Sequence, residues 1–210
     1  RFYGSAMPWP HIQGAFRKEM IIEHSQAHRV HDRVSDAEAA MAEPLSVALH
    51  AARRAGDLLG RRVLVSGCGP IGSLIVLVAR RAGAREVVAT DITDQTLARA
   101  QQVGATHTVN VATHPTGLDS YKRDKGQFDV LFEASGNAQA LRAAFEVLKP
   151  RGIISQVGTG GEVSIPLNVL VAKEFDLRGC FRFHEEFGWA VDLMNRGIVD
   201  VKPLISHSLP

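Results

Sequence analysis

The sequence predicts an α/β protein built on a doubly wound parallel sheet of about six strands. From Arg61 onward, short β-branched runs alternate with segments of helical apolar spacing, which is the pattern of repeated strand–helix–strand units. Glycine is frequent, at 19 residues, whereas aromatic residues make up only 6% of the chain. A mainly aliphatic core with tight turns suits parallel strands that helices cover on both faces.

The expected elements follow each other along the chain. Six β-rich runs predict strands at 63–65, 86–90, 106–109, 128–132, 153–157 and 175–181. Apolar residues at helical spacing predict helices after the first, second and fourth of these strands and a last helix at 185–194. Asn137 is the expected N-cap of the helix after the fourth strand, because its side chain can accept hydrogen bonds from the free N–H groups there.

The segments outside this alternation do not fit the sheet. Residues 1–42 mix polar and apolar positions as antiparallel strands do, and they predict one strand pair, at 14–22 and 27–30. Pro44 then opens a helix that Gly56 closes, since proline favours the first turn of a helix and glycine its end. We therefore expect a domain boundary near Pro44.

Composition argues against several classes of function. Lys and Arg total 24 against 22 Asp and Glu, a net charge of +2. Nucleic-acid binding would require a basic stripe with stacking aromatic residues, and the sequence shows neither. The longest apolar stretch, 71–79, is far shorter than the roughly 20 residues that cross a membrane. The two cysteines, Cys68 and Cys180, lie far apart in the sequence, so we expect no disulfide framework. This favours a reducing, cytoplasmic setting. The chain starts at Arg1 rather than Met, so we expect a fragment of a longer protein.

The strongest motif is the glycine pattern at residues 67–72, which read GCGPIG. This G-x-G-x-x-G directly follows an expected strand and opens an expected helix, a context typical of a dinucleotide-binding turn. Gly67 permits the tight turn, Gly69 lets the backbone approach a pyrophosphate, and Gly72 permits close packing of the helix on the strand. The free N–H groups at the N-terminus of that helix would bind the phosphates.

An acidic residue follows this motif at the distance that a ribose contact requires. Asp91 lies nineteen residues after Gly72, at the end of the second expected strand. An acid in this place accepts hydrogen bonds from the adenosine ribose of NAD, whereas an NADP site usually offers an arginine for the 2′-phosphate. The next residues, 92–94 (ITD), supply no base. The sequence therefore predicts NAD as the cofactor.

Other polar residues have more than one interpretation. His24, His28 and His31 have the spacing of metal ligands, but spacings of three and four do not share a face in a strand, so surface histidines are favoured. Cys68 is a candidate redox thiol at a helix N-terminus, although the turn requires a small residue and a packing role is favoured. Glu133, at the end of the fourth strand, either faces the cofactor or caps a helix, and both interpretations stay open.

Four segments together resemble the zinc-containing medium-chain alcohol dehydrogenases. They are 43–51 (EPLSVALHA), 65–72 (VSGCGPIG), 132–136 (FEASG) and 178–182 (RGCFR). Within that family the chain is similar to the sorbitol and L-idonate 5-dehydrogenase branch. The opening segments 1–7 (RFYGSAM) and 10–14 (PHIQG) are especially similar to L-idonate 5-dehydrogenases. The resemblance covers essentially the whole chain, and its motifs occur in the family's order.

This resemblance implies a domain division. The family has a GroES-like, β-rich catalytic domain with an NAD-binding Rossmann domain inserted near its end. Residues 1–43 and 184–210 would then be partial segments of the catalytic domain, and residues 44–183 would form the NAD-binding domain. The family forms dimers and tetramers through the sixth strand of its sheet, which implies that this protein is a homo-dimer or homo-tetramer.

The resemblance also assigns one residue to the catalytic metal. Glu43 matches the family's glutamate that ligates the zinc or holds its water. It is therefore the candidate catalytic residue, metal ligand and substrate contact of this chain. The other zinc ligands, and the structural zinc lobe of most members, would lie upstream of Arg1.

A further set of residues matches the family's cofactor site. The set consists of Gly67, Gly69, Pro70, Ile71, Gly72, Asp91, Val157, Gly158, Phe181 and Arg182. Val157 and Gly158 match the segment beside the nicotinamide, while Phe181 and Arg182 match residues near both the cofactor and the substrate. Arg182 is in addition a candidate partner for a carboxylate of the substrate.

The implied reaction is reversible hydride transfer between NAD and a secondary alcohol of a sugar acid or polyol, with zinc as Lewis acid. Sorbitol dehydrogenases often have an arginine where Thr96 stands and a tyrosine where Phe183 stands. The first departure concerns adenine-side contacts, and the second argues against sorbitol. The implied substrate is therefore L-idonate, oxidised to 5-ketogluconate, or a similar sugar acid. The alternatives are a sorbitol- or threonine-dehydrogenase-like member and, for these 210 residues alone, a non-catalytic dinucleotide-binding module.

Overall fold

The computed structural model describes residues 2–207 and contains a six-stranded sheet. Its strands are β1 (Arg62–Ser66), β2 (Glu86–Asp91), β3 (His107–Asn110), β4 (Phe128–Glu133), β5 (Leu148–Gln156) and β6 (Asp176–Gly179). All five neighbouring pairs are parallel, in the order β3-β2-β1-β4-β5-β6. The direction of winding reverses between β1 and β4, as in doubly wound sheets that bind dinucleotides. The predicted fold class is confirmed.

The helices alternate with these strands. They are α1 (Asp36–Ala40), α2 (Ala42–Ala55), α3 (Pro70–Arg81), α4 (Asp94–Gln102), α5 (Ala138–Val147), α6 (Leu167–Ala172) and α7 (Glu186–Asn195). Asn137 caps α5 as predicted, since its side chain accepts hydrogen bonds from the backbone N–H groups of Gln139 and Ala140. Within the described part of the chain, no helix is long and apolar enough to cross a membrane.

Two separate apolar layers cover the sheet. Val63 and Val65 of β1 pack on one face with α2 and α3, whereas Leu64 packs on the other face with Phe145 of α5. This alternation follows from the period of two along a strand. Because both faces are covered, a ligand reaches the sheet only at the ends of its strands.

The strand pair expected at 14–22 and 27–30 is wrong. The only backbone pairing described nearby joins Gly4 to Gln13 and Ser5 to Ile12. Most residues of 14–22 are exposed, and none of the six described strands pairs with them. A two-stranded hairpin without a third strand or a covering layer is marginally stable, so the polar and apolar mixture alone does not produce the pair.

Several element boundaries also differ from those expected, and the sixth strand covers Asp176–Gly179 instead of residues 175–181. The helix predicted to open at Pro44 begins two residues earlier, at Ala42, while Gly56 ends it as predicted, with a φ of +89°. The fifth strand begins at Leu148 rather than at residue 153, because Leu148 pairs with Phe128 across an irregular register. Arg1 and residues 208–210, which belong to the segments assigned to the catalytic domain, lie outside the described residues.

A buried carboxylate joins α7 to α2. Glu186 is fully buried, and its side chain contacts His50 Nδ1 at 3.0 Å and Arg53 Nη1 at 3.1 Å. It also accepts a 2.7 Å hydrogen bond from the backbone N–H of His184. Burial acts to raise the pKa of Glu186, but the hydrogen bonds from His50, the backbone and Arg53 outweigh it and lower the pKa to about 2. The carboxylate therefore stays charged at neutral pH.

Candidate functional site

Three glycines shape the turn between β1 and α3. Gly67 has a φ of +84°, and a Cβ there would lie 2.7 Å from the Cα of Ser135 in the loop after β4. A Cβ on Gly72 would lie 1.8 Å from the carbonyl oxygen of Gly67. Gly69 is different, because nothing lies within 4 Å of the place where its Cβ would be. Two glycines thus close the turn, and the third leaves room for a ligand.

The N-terminus of α3 adds free hydrogen-bond donors to this turn. Gly69 is the N-cap, Pro70 occupies the first turn, and no side chain caps the helix. Ile71 and Gly72 are in the first turn, where backbone N–H groups have no partner within the helix. Free donors, the helix dipole and the open space at Gly69 together suit a phosphate group. The residues present therefore fit the pyrophosphate of a dinucleotide.

Asp91 lies at the end of β2, directly beside the glycine turn. Its Oδ2 accepts a 2.7 Å hydrogen bond from the backbone N–H of Cys68. Its Oδ1 accepts hydrogen bonds from the backbone N–H groups of Ile92, at 2.7 Å, and Thr93, at 3.0 Å. A carboxylate can accept about four hydrogen bonds, so acceptor capacity remains for a ribose hydroxyl. The structure thus brings together the two motifs that predicted NAD.

Cys68 has the properties of a packing residue. It is 1% exposed, and its sulfur lies 3.6 Å from the carbonyl oxygen of Thr90. Burial, together with the negative charge of Asp91, raises the pKa of the Cys68 thiol to about 12. The thiolate is the reactive form of a cysteine, so burial and the raised pKa agree with the packing role that the sequence favoured for Cys68.

A cleft of about 530 Å³ opens where β4, β5 and β6 end. Its lining includes Glu133, Gly136, Gln156, Gly158, Leu177 and Gly179. Val157 and Gly158 follow β5 directly, and their backbone N–H groups each donate a 2.8 Å hydrogen bond to the carbonyl oxygen of Glu133. A Cβ on Gly158 would lie 2.3 Å from the backbone nitrogen of Gly136. The segment predicted to lie beside the nicotinamide is therefore held tightly against the loop after β4.

Glu133 occupies the floor of this cleft and is fully buried. Its carboxylate accepts hydrogen bonds from the backbone N–H groups of Ser135, at 2.9 Å, and Gly136, at 3.1 Å, and from the Ser135 hydroxyl. Asn137, not Glu133, caps α5. Of the two interpretations left open for Glu133, helix capping is thus excluded, and the carboxylate closes the turn that lines the cleft.

Sequence reasoning did not single out Gln156. Its Nε2 donates hydrogen bonds to Glu133 Oε2, at 2.6 Å, and to the carbonyl oxygen of Gly158, at 2.9 Å. Its Oε1 is buried and has no hydrogen-bond partner. A polar residue at the carboxyl end of β5, the end at which ligands of such sheets bind, was the available signal. An unpaired buried acceptor in the wall of a cleft is a group that a bound ligand can satisfy.

Phe181 and Arg182 lie just beyond β6. Arg182 has a φ of +57°, and its guanidinium lies over the rings of Phe2, at 4.4 Å, and Phe181, at 5.1 Å. It also donates a 3.1 Å hydrogen bond to the hydroxyl of Ser5. These contacts fix Arg182 against the start of the chain. A guanidinium has five N–H donors, so this position is compatible with an anionic partner.

Glu43 stands apart from these groups. It is exposed in the first turn of α2, and its side chain forms no hydrogen bond or ion pair within residues 2–207. The same residues contain no group of three or more His, Cys, Asp or Glu side chains that could hold a metal ion. His24, His28 and His31 are all exposed, as the surface interpretation predicted. The described residues by themselves therefore do not form a zinc site.

A doubly wound sheet with this glycine turn and this acid defines a dinucleotide-binding domain. The zinc-binding dehydrogenase family matches residues 70–196, and the chain belongs to that family. The "L-idonate 5-dehydrogenase (NAD(P)(+))" of Escherichia coli (strain K12) is 41% identical over 211 residues, which cover 100% of this chain and 61% of that enzyme. Sorbitol dehydrogenase of Bos taurus is 35% identical over 188 residues, 87% of this chain and 52% of the enzyme.

Similarity of structure agrees with similarity of sequence. The crystal structure of L-idonate 5-dehydrogenase from Escherichia coli str. K-12 substr. MG1655 matches with a TM-score of 0.92 at 42% identity, covering 97% of this chain and 59% of that chain. The present chain thus spans about three fifths of the length of these Escherichia coli relatives. The family resemblance inferred from the four sequence segments is confirmed.

Proposed function

We propose that this chain is the cofactor-binding part of an NAD-dependent, zinc-dependent dehydrogenase that oxidises a sugar acid, with L-idonate as the substrate. The observation that carries the proposal is the glycine turn hydrogen-bonded to Asp91. It occurs in a chain that is 41% identical along its whole length to the Escherichia coli enzyme. An acid rather than an arginine at this place favours NAD over NADP.

In this proposal the cofactor lies along the carboxyl ends of the strands. Its pyrophosphate binds at Gly67, Gly69, Pro70, Ile71 and Gly72, and its adenosine ribose binds to Asp91. The nicotinamide occupies the cleft next to Val157 and Gly158, with Phe181 nearby. Support comes from the open space at Gly69, the free donors of α3 and the unpaired Oε1 of Gln156.

The proposed reaction moves a hydride from carbon 5 of L-idonate to the nicotinamide, while the proton of the carbon 5 hydroxyl leaves. The alcohol is oxidised to the ketone of 5-ketogluconate, and NAD is reduced. Arg182 pairs with the carboxylate of the substrate, as a guanidinium does in two parallel hydrogen bonds. Glu43 remains the proposed zinc ligand or holder of the zinc-bound water, with the other ligands outside residues 2–207.

A polyol such as sorbitol is the second candidate substrate, because sorbitol dehydrogenase of Bos taurus is 35% identical to this chain. A panel of substrates separates the candidates: aldonic acids, polyols and L-threonine, each offered to the full-length protein with zinc and NAD. We expect L-idonate to give the highest kcat/KM. Faster turnover of sorbitol or threonine would replace the proposed substrate. Absence of turnover with every compound, despite NAD binding, would favour a non-catalytic dinucleotide-binding module.

The role of Asp91 gives the first testable prediction. Asp91→Ala should weaken NAD binding by roughly 1.5–3 kcal/mol, because hydrogen bonds to a charged group are lost. Calorimetric titration of NAD into the wild-type and variant proteins measures this difference. Asp94→Ala is the matched control, since Asp94 is exposed three residues later and pairs with Asn110. Equal affinities of the Asp91 variant and the wild type would refute the ribose contact.

The proposal includes a homo-dimer or homo-tetramer in the cytoplasm. β6 forms one edge of the described sheet, and Leu177 in β6 is 43% exposed. An open strand edge with an exposed apolar side chain is suited to pairing with another strand. Both cysteines are free and buried, which agrees with a reducing compartment.

A further inference from the structure

The carboxylate of Glu133 is buried without a positive partner. Its described donors are two backbone N–H groups, one hydroxyl and one side-chain amide, from Ser135, Gly136 and Gln156. All of these donors are neutral, and within residues 2–207 Glu133 takes part in no ion pair. Both carboxylate oxygens act as acceptors, which is the hydrogen-bonding pattern of the ionised form. The floor of the cleft therefore carries a negative charge that no nearby cation compensates.

This charge lies directly under the segment assigned to the nicotinamide. A Cβ on Gly158 would lie 2.8 Å from Glu133 Oε2, and Glu133 is itself one of the residues that line the cleft. The carbonyl oxygen of Glu133 also accepts hydrogen bonds from Val157 and Gly158. Glu133 is thus held by hydrogen bonds from both loops that line the cleft.

The two redox states of the cofactor differ in charge at the ring that enters this cleft. The nicotinamide ring is positive in NAD+ and neutral in NADH. A fixed negative charge in a site sheltered from water acts more strongly on a cation than the same charge in water does. It stabilises the oxidised ring and has little effect on the reduced ring.

We propose that Glu133 is a positioning residue whose buried charge raises the affinity of the site for NAD+ relative to NADH. This inference rests on the proposed function, because it needs the nicotinamide to bind in the cleft between β4 and β6. It assigns to Glu133 a role that ribose and pyrophosphate contacts cannot supply, since those parts of the cofactor are identical in the two redox states.

The test measures the dissociation constants of NAD+ and NADH separately in the full-length protein, by calorimetry and by NADH fluorescence. Glu133→Gln removes the charge and keeps the size of the side chain. We expect the ratio of the NAD+ to the NADH dissociation constant to rise about tenfold. Glu133→Asp retains the charge and should keep the ratio within about twofold of the wild type. An unchanged ratio in Glu133→Gln would overturn the inference.

A second pair of variants tests the same charge effect without altering Glu133. Gln156→Lys introduces a cation beside the carboxylate and should also raise the ratio, whereas Gln156→Met removes the hydrogen bond but no charge and should weaken both ligands equally. This pair decides the question if Glu133→Gln does not fold. Equal ratios in the lysine and methionine variants would refute the inference. Failure of the wild-type protein to bind either cofactor would instead refute the proposed function.

Discussion

Strand β4 carries a buried carboxylate near each end, and the two are stabilised in opposite ways. Asp129, near its start, contacts the ammonium of Lys149 and Arg61 Nη1 and accepts a 2.7 Å hydrogen bond from the backbone N–H of Arg62. Glu133, at its end, has only neutral donors. The side chain of Asp129 is 8% exposed and Glu133 is fully buried, so burial does not explain the difference.

The difference corresponds to the two ends of the parallel strands. Ligands of doubly wound sheets bind at the carboxyl ends of the strands, where Glu133 lies, whereas Asp129 lies at the other edge. Cations that pair with a buried charge offset part of the cost of burying it. A buried charge that is held only by neutral hydrogen-bond donors keeps an electric field that can act on a ligand. In the proposed function, the uncompensated carboxylate of Glu133 lies on the side of the sheet that binds the cofactor.

Removal of Asp129 should have the largest effect on stability. Burial acts to raise the pKa of Asp129, but Lys149, the backbone of Arg62 and Arg61 outweigh it, and the pKa is lowered below 3.8. Asp129→Ala should lower the free energy of unfolding by about 3 kcal/mol, while the NAD+ to NADH affinity ratio stays unchanged. Urea denaturation at pH 7 measures the loss.

The pH dependence of this contribution has a definite sign. Because the folded-state pKa is lowered, the stabilisation by Asp129 is present above about pH 4 and disappears as the pH falls through the lowered value. The difference between the wild type and Asp129→Ala should therefore shrink below pH 4. Asp119→Ala is the control, since Asp119 forms an exposed pair with Lys122. A shift in the affinity ratio of Asp129→Ala would break the contrast between the two ends of β4.

Glu186 resembles Asp129, since its buried carboxylate pairs with the guanidinium of Arg53, and it extends the contrast to a helix. Glu186→Gln keeps an acceptor for His184 but removes the charge that His50 and Arg53 contact. We expect a loss of about 2 kcal/mol in unfolding free energy at pH 7. The lowered pKa, about 2 against 4.5, means that the loss is present above pH 4.5 and fades as the pH falls toward 2.

A matched control for Glu186 lies on the same helix. Asp192 and Arg196 form an exposed pair at 3.3 Å, and exposed pairs contribute little. Asp192→Asn should therefore leave the unfolding curve unchanged. If Glu186→Gln also left the free energy of unfolding unchanged between pH 5 and 8, buried carboxylates that pair with cations would not stabilise this fold.

The smallest expected effect isolates binding from stability at the carboxyl edge. Gly69→Val adds a side chain where nothing lies within 4 Å, so the thermal midpoint should stay the same, while the affinity for NAD falls about tenfold because the backbone can no longer approach the pyrophosphate. Gly72→Ala is the contrasting variant, since its methyl group would lie 1.8 Å from Gly67 O. It should lower the thermal midpoint. Unchanged NAD affinity in Gly69→Val would contradict the pyrophosphate site.

The sheet and one part of the candidate site, the glycine turn with Asp91, could be predicted from the sequence. Strand-like runs, helical spacing and the glycine turn are local patterns, so β1, α3 and the place of Asp91 could be read directly from neighbouring residues. The correct cap at Asn137 has the same origin, because it depends on the next three residues only.

The second half of the site could not be read in this way. Glu133 contacts Gln156 only because β4 and β5 lie side by side, and this distant pairing is not written in either segment alone. The expected strand pair at 14–22 and 27–30 failed for a related reason: a strand needs a partner, and periodicity does not say whether one is present. Glu43 is placed by family resemblance, and its metal role stays a prediction.

The contact between Glu186 and the helix α2 has a consequence for the architecture of longer chains. Helix α2 leads into the sheet and helix α7 follows its last strand. The two helices are joined by the 3.0 Å contact between His50 Nδ1 and Glu186 Oε1. A domain that contains this sheet as an insertion would need only a small distance between the point where its chain enters α2 and the point where it leaves α7. Closing the ends of a long insertion costs more entropy when those ends are free. The contact between α2 and α7 should therefore lower the entropic cost of inserting this sheet into a longer chain.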